Sequence, residues 1–566
     1  MNRRCPRSIL TLAFVLAFLL FTAGCARERP LDYWFVDSLV KVFPDAGFGH
    51  EHLPAAAFDA ARNGNLSIQL CLRANRAVGD LYVDALPLTG PGMPIESVSV
   101  RWVKNVVVTS NTPQTPPEEL VRQAPALFPD ALLEDFPITV PAATTRCVWI
   151  TVRVDAAQRP GVYEGVLRLR QGRDALELVP YTVKVHSATV PSPIPLAISN
   201  YLNLSERHTE QFYGCSRFSE AWWELIRNYA GFFGRYHQTV VRGSPVALAQ
   251  VTVRGGRLHY DFSNFIRYVE MFQAYGVNGQ VEGSNLARRE RLRNAPVMIP
   301  AWVIENGQAV QRDVLLSDPR AERFLNTFLP ALYQVLEAHG WAEKYLQGIL
   351  DEPHESEQPA FIRIGRLVRR LMPGVRTIEP VSARQDLAFL EKTVDIWVPH
   401  LGSIGDKLDQ MRAHLPPGGE LWFYTALSPR GHYPNRFIDY SLLKVRLLHW
   451  INFKYDLRGY LHWGGNYWGP RPYDDTQPVI NQGRTYLPPG DAYITYPNRA
   501  GRSLYSSIRL EQMREGIEDF GLLHSLAQRD QARAADIAGQ MVTSFTDYVR
   551  DPKRFRELRL ELLESF

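Results

Sequence analysis

Two adjacent carboxylates, Asp351 and Glu352, close an apolar run in Tyr345-Leu-Gln-Gly-Ile-Leu-Asp351-Glu352-Pro353-His354. Leu346, Ile349 and Leu350 suit a short strand buried on both faces. Pro353 has no N–H to give to a ladder and ends it. Glu355 to Leu371 then reads as a helix, with Ile362, Ile364, Leu367, Val368 and Leu371 on one side. The pair therefore stands at the C-terminal mouth of a strand, where parallel α/β folds place their chemistry. Like charges this close push one pKa up, so one acid holds a proton near neutral pH while its neighbour stays ionised. A proton donor beside a stabilising anion is what cleavage of a glycosidic bond requires. In isolation the same acids read more simply as the first turn of a helix, favoured there by its dipole. The elements around them point the other way.

Residues 31–190 are β-rich. Ser67 to Leu72 alternates, Val98 to Val108 is valine-rich, and Cys147 to Val154, Gly161 to Leu169 and Tyr181 to Val185 read as strands. Short strands separated by turn signals predict a β-sandwich. Thr112 to Pro141 is proline-rich and predicts a long loop or an interdomain contact. Thr189-Val-Pro-Ser-Pro-Ile-Pro195 is a stiff linker and the clearest boundary. Beyond it strand and helix patterns alternate. Strands are expected at Leu196–Asn200, Thr239–Arg242, Val277–Glu282, Leu346–Leu350, Arg376–Pro380, Val394–Val398, Glu420–Tyr424 and Gly459–Trp463. Eight strands in this pattern fit an α/β fold, a (β/α)8 TIM barrel. The last 60 or so residues read as helices packed outside it, for example Ser507 to Arg529. The fold class is thus multidomain: an N-terminal β-sandwich (26–190), a barrel (191–500) and extra C-terminal helices packed on the barrel (501–566), after a signal segment (1–25).

Barrel chemistry is drawn from the C-terminal ends of several strands. Those ends offer Asn200 and Asn203, Arg242, Glu282 and Ser284, Asp351 and Glu352, Glu379, His400, Tyr424, and Trp463, Asn466 and Trp468; Asp491 could reach the same rim. Each of these residues taken singly reads first as structural, and Trp463 equally as barrel packing. His400, His449 and His462 show no paired spacing on a helix and no Cys-x-x-Cys occurs, so no metal is expected. No nucleophile elbow, P-loop or dinucleotide fingerprint appears in a strand–helix context, so no cofactor is expected either.

The 566 residues are 45% hydrophobic and 22% charged, an ordinary globular composition. A net charge of +4 without a basic block gives nucleic-acid binding no support. The 12 Trp and 25 Tyr suit stacking on sugar faces as well as core packing. Asn2 to Arg7 is a positive segment and Ile9 to Phe21 an apolar one too short to span a bilayer comfortably. Thr22-Ala23-Gly24-Cys25 resembles a bacterial lipobox, with Thr22 where leucine is usual. It predicts lipidation at Cys25 and membrane contact through that anchor only, and Ala26 suits outer-membrane sorting. Cys71, Cys147 and Cys215 then remain, enough for at most one disulfide.

Gly348-Ile-Leu-Asp-Glu-Pro353, Leu421-Trp-Phe-Tyr424, Gly459-Tyr-Leu-His-Trp-Gly-Gly-Asn-Tyr-Trp468 and Ser507 to Asp519, taken together, resemble glycoside hydrolase family 123. Gly161-Val-Tyr-Glu-Gly165 and Val183-Lys-Val185 look like its N-terminal domain. The resemblance implies β-N-acetylgalactosaminidase activity on terminal β-N-acetylhexosamine of glycans, by a substrate-assisted retaining route through an oxazoline. Carried over by position, Asp351 orients the acetamide and stays ionised. Glu352 is the acid and base, with its pKa raised by desolvation and the neighbouring charge. Tyr424, Trp463 and Trp468 shape the sugar pocket, with Asn466, Asn200, His400 and Asp491 as further contacts. Two alternatives stand beside this reading: a non-catalytic glycan-binding lipoprotein, and a two-carboxylate glycosidase in which Glu282 or Glu379 supplies a second acid about 5 Å away.

Overall fold

The computed structural model describes residues 31–289, 296–381, 390–480 and 485–566; the expected lipidation site Cys25 lies outside the described residues. The N-terminal domain is rich in sheet. A seven-stranded sheet runs in the order Asp32–Val36, Asn65–Arg73, Thr145–Arg153, Val98–Val108, Ala126–Leu133, Ser503–Ser507 and Tyr496–Asn498. A five-stranded sheet runs Ala57–Arg62, Asp174–Thr189, Gly161–Gln171, Val78–Ala85 and Ile138–Val140. In Gly161–Gln171, Tyr163, Leu167 and Leu169 are buried while Glu164 and Arg168 face water, the period-2 pattern of a half-buried strand. Leu70, Ile150 and Val152 of the first sheet and Leu81, Leu167 and Val183 of the second share one apolar core between the sheets. The other face of the larger sheet, through Cys71, Val103, Phe128, Leu132 and Trp149, joins the core of the rest of the chain. Asn65–Arg73 is accordingly buried on both faces.

The proline-rich stretch is part strand, since Ala126–Leu133 pairs with Val98–Val108. Its start is an interdomain contact: the Thr112 N–H and hydroxyl donate to the Asp439 carboxylate at 2.6 and 2.8 Å.

All eight expected strands of the second domain occur and run parallel. They are Ala197–Asn200, Val240–Gly243, Gln280–Gly283, Tyr345–Gly348, Arg376–Val381, Ile396–Pro399, a seventh split into Glu420–Leu421 and Phe423–Tyr424, and Gly459–His462. They form two arcs instead of one unbroken ladder. The second to sixth strands and Glu420–Leu421 make six, and the first, the eighth and Phe423–Tyr424 make three. Trp422 joins the arcs by donating its N–H to Trp397 O at 2.9 Å. At the opposite seam Ile198 N–H donates to the Thr239 hydroxyl at 2.8 Å and the Thr239 N–H to Ile198 O at 3.3 Å. Between the arcs Ala197, Val240, Leu346, Ile378, Ile396, Trp422 and Leu461 pack together. These side chains fill the space between the arcs, so polar groups gather at the strand ends instead.

The C-terminal segment departs from its expected place. Ser503–Ser507 belongs to the sandwich sheet, pairing Ser506 with Leu132. Helix Ile508–Ala527 is not an outer helix but is enclosed on nearly every side. Its charges find buried partners: Arg509 on Asp130 at 2.8 Å, Glu511 on Arg101 at 2.7 Å, and Asp519 on Arg446 and Arg559 at 2.7 and 3.0 Å. Charge at every turn reads locally as a solvated face. Here long-range pairing lets it be buried, and the helix becomes the bolt between the two domains.

Candidate active site

The fourth strand ends at Gly348, before the acids. The next two amides, of Ile349 and Leu350, leave the backbone ladder and donate to Glu379 Oε2 at 3.1 and 3.3 Å. Asp351 and Glu352 follow. Glu352 has φ +43°, in the left-handed region where a non-glycine residue is strained, and such strain collects at functional sites. The turn is clamped from outside. Arg289 donates to the carbonyls of Asp351 at 2.7 Å and Glu352 at 3.2 Å. It also pairs with Glu357 at 3.4 Å, whose carboxylate in turn accepts the His354 N–H at 2.8 Å.

The two carboxylates differ in surroundings. The Asp351 carboxyl reaches solvent, yet desolvation by the protein packed around it is the largest cause of a raised pKa. The Glu352 charge adds to that, and Arg289 and Arg242 oppose it. Glu352 Oε1 accepts a hydrogen bond from the Tyr424 hydroxyl. Burial, then the charge of Glu352, keeps that phenol well above its usual pKa and so a donor. His400 meets the Tyr424 ring edge-on at 5.2 Å and shares a 2.9 Å hydrogen bond with the Ser428 hydroxyl, and burial lowers its pKa. In the free protein the pKa of Asp351, the acid expected to stay ionised, is thus raised, by desolvation first and then by the Glu352 charge.

Two further carboxylates lie inside. Glu282 accepts from Ser199 at 2.9 Å, Tyr201 at 2.7 Å and Arg242 at 3.0 Å, while the Arg242 guanidinium sits 3.7 Å over the Tyr201 ring. Glu379 is fully buried and its pKa is raised, by desolvation first and then by Asp351. Among the described residues no group of three or more His, Cys, Asp and Glu is arranged to hold a metal ion.

Of the sugar-contact residues expected from the sequence, Tyr424 and His400 stand beside Glu352. Trp463 is half-buried against Tyr467 at 5.2 Å. Four others are enclosed and engaged elsewhere. Asn200 accepts from Arg436 at 2.7 Å. Asn466 accepts the Asn203 N–H at 2.6 Å. Trp468 donates to Thr495 O at 2.6 Å and stacks on His208 at 5.0 Å. Asp491 is wholly buried, 3.4 Å from His462 Nε2, and burial pushes its pKa to about 7. The indole of Trp463 eases that carboxylate, but neither Asp491 oxygen has a partner of hydrogen-bond geometry. Together these residues brace the loops after the first and eighth strands. Gly464 permits the bracing, for a Cβ there would lie 2.3 Å from Asp491 O. Tyr201, Arg289 and Tyr467 were not foreseen. Tyr201 directly follows a strand end and was findable, whereas Arg289 lies in a patternless insertion.

A model of the glycoside hydrolase 123 catalytic domain matches residues 206–526, and one of the glycoside hydrolase 123 N-terminal domain matches residues 51–171. Among solved structures, a family 123 glycoside hydrolase from Clostridium perfringens, described in terms of glycolipid glycan hydrolysis, is 14% identical. The match covers 94% of this chain and 96% of that one, with a TM-score of 0.72. A family 39 glycoside hydrolase from the gut symbiont Bacteroides cellulosilyticus WH2 is 9% identical over 82% of this chain and 81% of that one, at a TM-score of 0.35. No protein with a curated description matches.

Proposed function

The chain belongs to glycoside hydrolase family 123 and is a glycosidase, and from that premise we propose that it releases terminal β-linked N-acetylgalactosamine from glycans by a substrate-assisted, retaining route. The observation that carries this reading is the unequal pair at the end of the fourth strand. Glu352, aligned by Tyr424, protonates the leaving oxygen and later activates water. Asp351 faces the acetamide, whose oxygen attacks C1 to give an oxazoline. A carboxylate whose charge is penalised in the empty site is relieved when positive charge develops beside it, so the interaction strengthens on the way to the transition state. The inner carboxylates favour the same route. Glu282 is committed to Ser199, Tyr201 and Arg242, and Glu379 to two amides, so neither is free as the nucleophile of a two-carboxylate mechanism.

Two structural readings go with it. The parallel arcs form one (β/α)8 barrel, supported by the sequential strand order and the bridges at Trp422 and Thr239. The lipobox anchors the enzyme at Cys25 in a bacterial envelope; metabolic labelling with a radioactive fatty acid, absent in Cys25→Ala, tests that anchor.

The test of the reaction is hydrolysis of nitrophenyl β-N-acetylgalactosaminide and β-N-acetylglucosaminide by residues 26–566, with Asp351→Asn and Glu352→Gln alongside. Turnover of the first sugar, reduced at least about 10²-fold in each variant, and competitive inhibition by an N-acetylhexosamine thiazoline are expected. Turnover untouched by Asp351→Asn, or no thiazoline inhibition at millimolar concentration, would sink the substrate-assisted scheme.

A further inference from the structure

Glu379 belongs to the fifth strand, Arg376–Val381, opposite Trp397 of the sixth, and its side chain crosses to the fourth. The ladder between the fourth and fifth strands ends with Gly348 opposite Ile378. One step later the fourth strand leaves the sheet. The Ile349 and Leu350 amides are not left bare, which for buried N–H groups would be costly. Glu379 Oε2 accepts both, at 3.1 and 3.3 Å. The residue after Leu350 is Asp351, and after that comes the left-handed Glu352.

We propose that Glu379 is the positioning residue of the acid pair: its carboxyl takes over from the backbone ladder as acceptor at Ile349 and Leu350 and so sets where the strand peels away into Asp351 and Glu352. This rests on the reading of Asp351 and Glu352 as the reacting pair and extends it to a residue that touches no substrate. Glu379 does this as a neutral acid. It is wholly buried, and the charged groups facing it are the carboxylates of Asp351 beyond the fourth strand and Glu282 on the third, the latter held by Arg242. Its other oxygen, Oε1, has no hydrogen-bond partner among the described residues. Among the described residues no cation pairs with it, and a neutral carboxyl still offers the C=O that the two amides need. A glutamine offers the same acceptor at the same reach, whereas an alanine offers none.

The discriminating experiment compares the full chain with E379Q, E379A and D351N on the nitrophenyl N-acetylgalactosaminide. E379A is expected to lose on the order of 10²-fold in kcat, the cost of roughly 1 Å of misplacement, with KM within about twofold because no sugar contact is removed. E379Q is expected to recover most of that loss. Amide hydrogen exchange at Ile349 and Leu350 should quicken in E379A and stay slow in E379Q. Turnover in E379Q as low as in D351N would overturn the proposal, since an ionised, reacting carboxylate would then be required. Wild-type kcat in E379A would overturn it too. Full turnover in D351N would instead overturn the assignment of the reacting pair, whatever the Glu379 variants do.

Discussion

Asp491→Asn should make the protein more stable, and only above mildly acidic pH. Asp491 has no exposure to solvent, and among the described residues neither oxygen has a partner of full hydrogen-bond geometry, the Trp463 indole easing the charge only in part. Its neighbour offers no countercharge. His462 Nδ1 accepts from Arg436 at 2.7 Å and from the Gly464 N–H at 2.9 Å, so the ring proton sits on Nε2, and burial keeps the ring neutral. Burial therefore lifts the Asp491 pKa from 3.8 to about 7, against the pull of Arg436. At about 1.4 kcal/mol per pH unit, the ionised group costs the folded state about 4 kcal/mol. The folded state binds the proton more tightly than the unfolded chain, so this contribution to stability is fully present below pH 4 and is lost as pH rises through about 7. The variant's amide carries no charge to bury, and its oxygen can accept from His462 Nε2. Urea unfolding followed by tryptophan fluorescence should show Asp491→Asn gaining about 4 kcal/mol at pH 8, about 2 kcal/mol at pH 5, and nothing below pH 4. An equal gain at pH 5 and pH 8, or a loss at pH 8, would refute the reasoning.

Tyr424→Phe removes the hydroxyl that donates to Glu352. A hydrogen bond to a charged group is worth about 1.5–3 kcal/mol, so kcat should fall roughly 10- to 100-fold with an unchanged circular dichroism spectrum; an unaltered kcat would show that Glu352 needs no such alignment. Arg446→Ala strands buried Glu515 and leaves Arg559 as the cation on buried Asp519, and should cost about 3–5 kcal/mol, read as a lowered guanidinium midpoint; a change within about 1 kcal/mol would mean that the Arg446 pairs do not hold the enclosed helix. Cys71 and Cys147 are cross-strand partners with sulfurs 2.9 Å apart. Refolding residues 26–566 with oxidised glutathione should pass two electrons and two protons to the glutathione disulfide and leave one of the three thiols titratable. Three titratable thiols in denaturant would contradict it, and Cys147→Ser should leave both remaining thiols free.

The strand order was legible because each strand declares itself locally. Leu346 to Leu350 is an apolar run ended by a proline, and Gly161–Gln171 alternates inside and out. The acid pair was legible for the same reason, since adjacency in sequence is adjacency in space. Side-chain direction at a strand end was not legible. Asn466 and Trp468 sit beyond the eighth strand beside half-buried Trp463 and Tyr467, yet turn inward to Asn203 and Thr495. That choice is made by Gly464 and the backbone of Asp491, which meet only in the fold.

What the sequence by itself determined is the eight parallel strands of the second domain, their order and the place of Asp351 and Glu352, which follow from local periodicity and adjacency in the chain, and the family resemblance, which short motifs carry. Only the tertiary structure decided the electrostatics. Arg101 reaches Glu511 across 410 residues, which turns a charged helix into a buried one. Arg289 closes on the carbonyls of Asp351 and Glu352 from 62 and 63 residues away. The raised pKa of Asp351 depends on the protein packed around it. Burial and pairing act through space, at distances the order of residues does not encode.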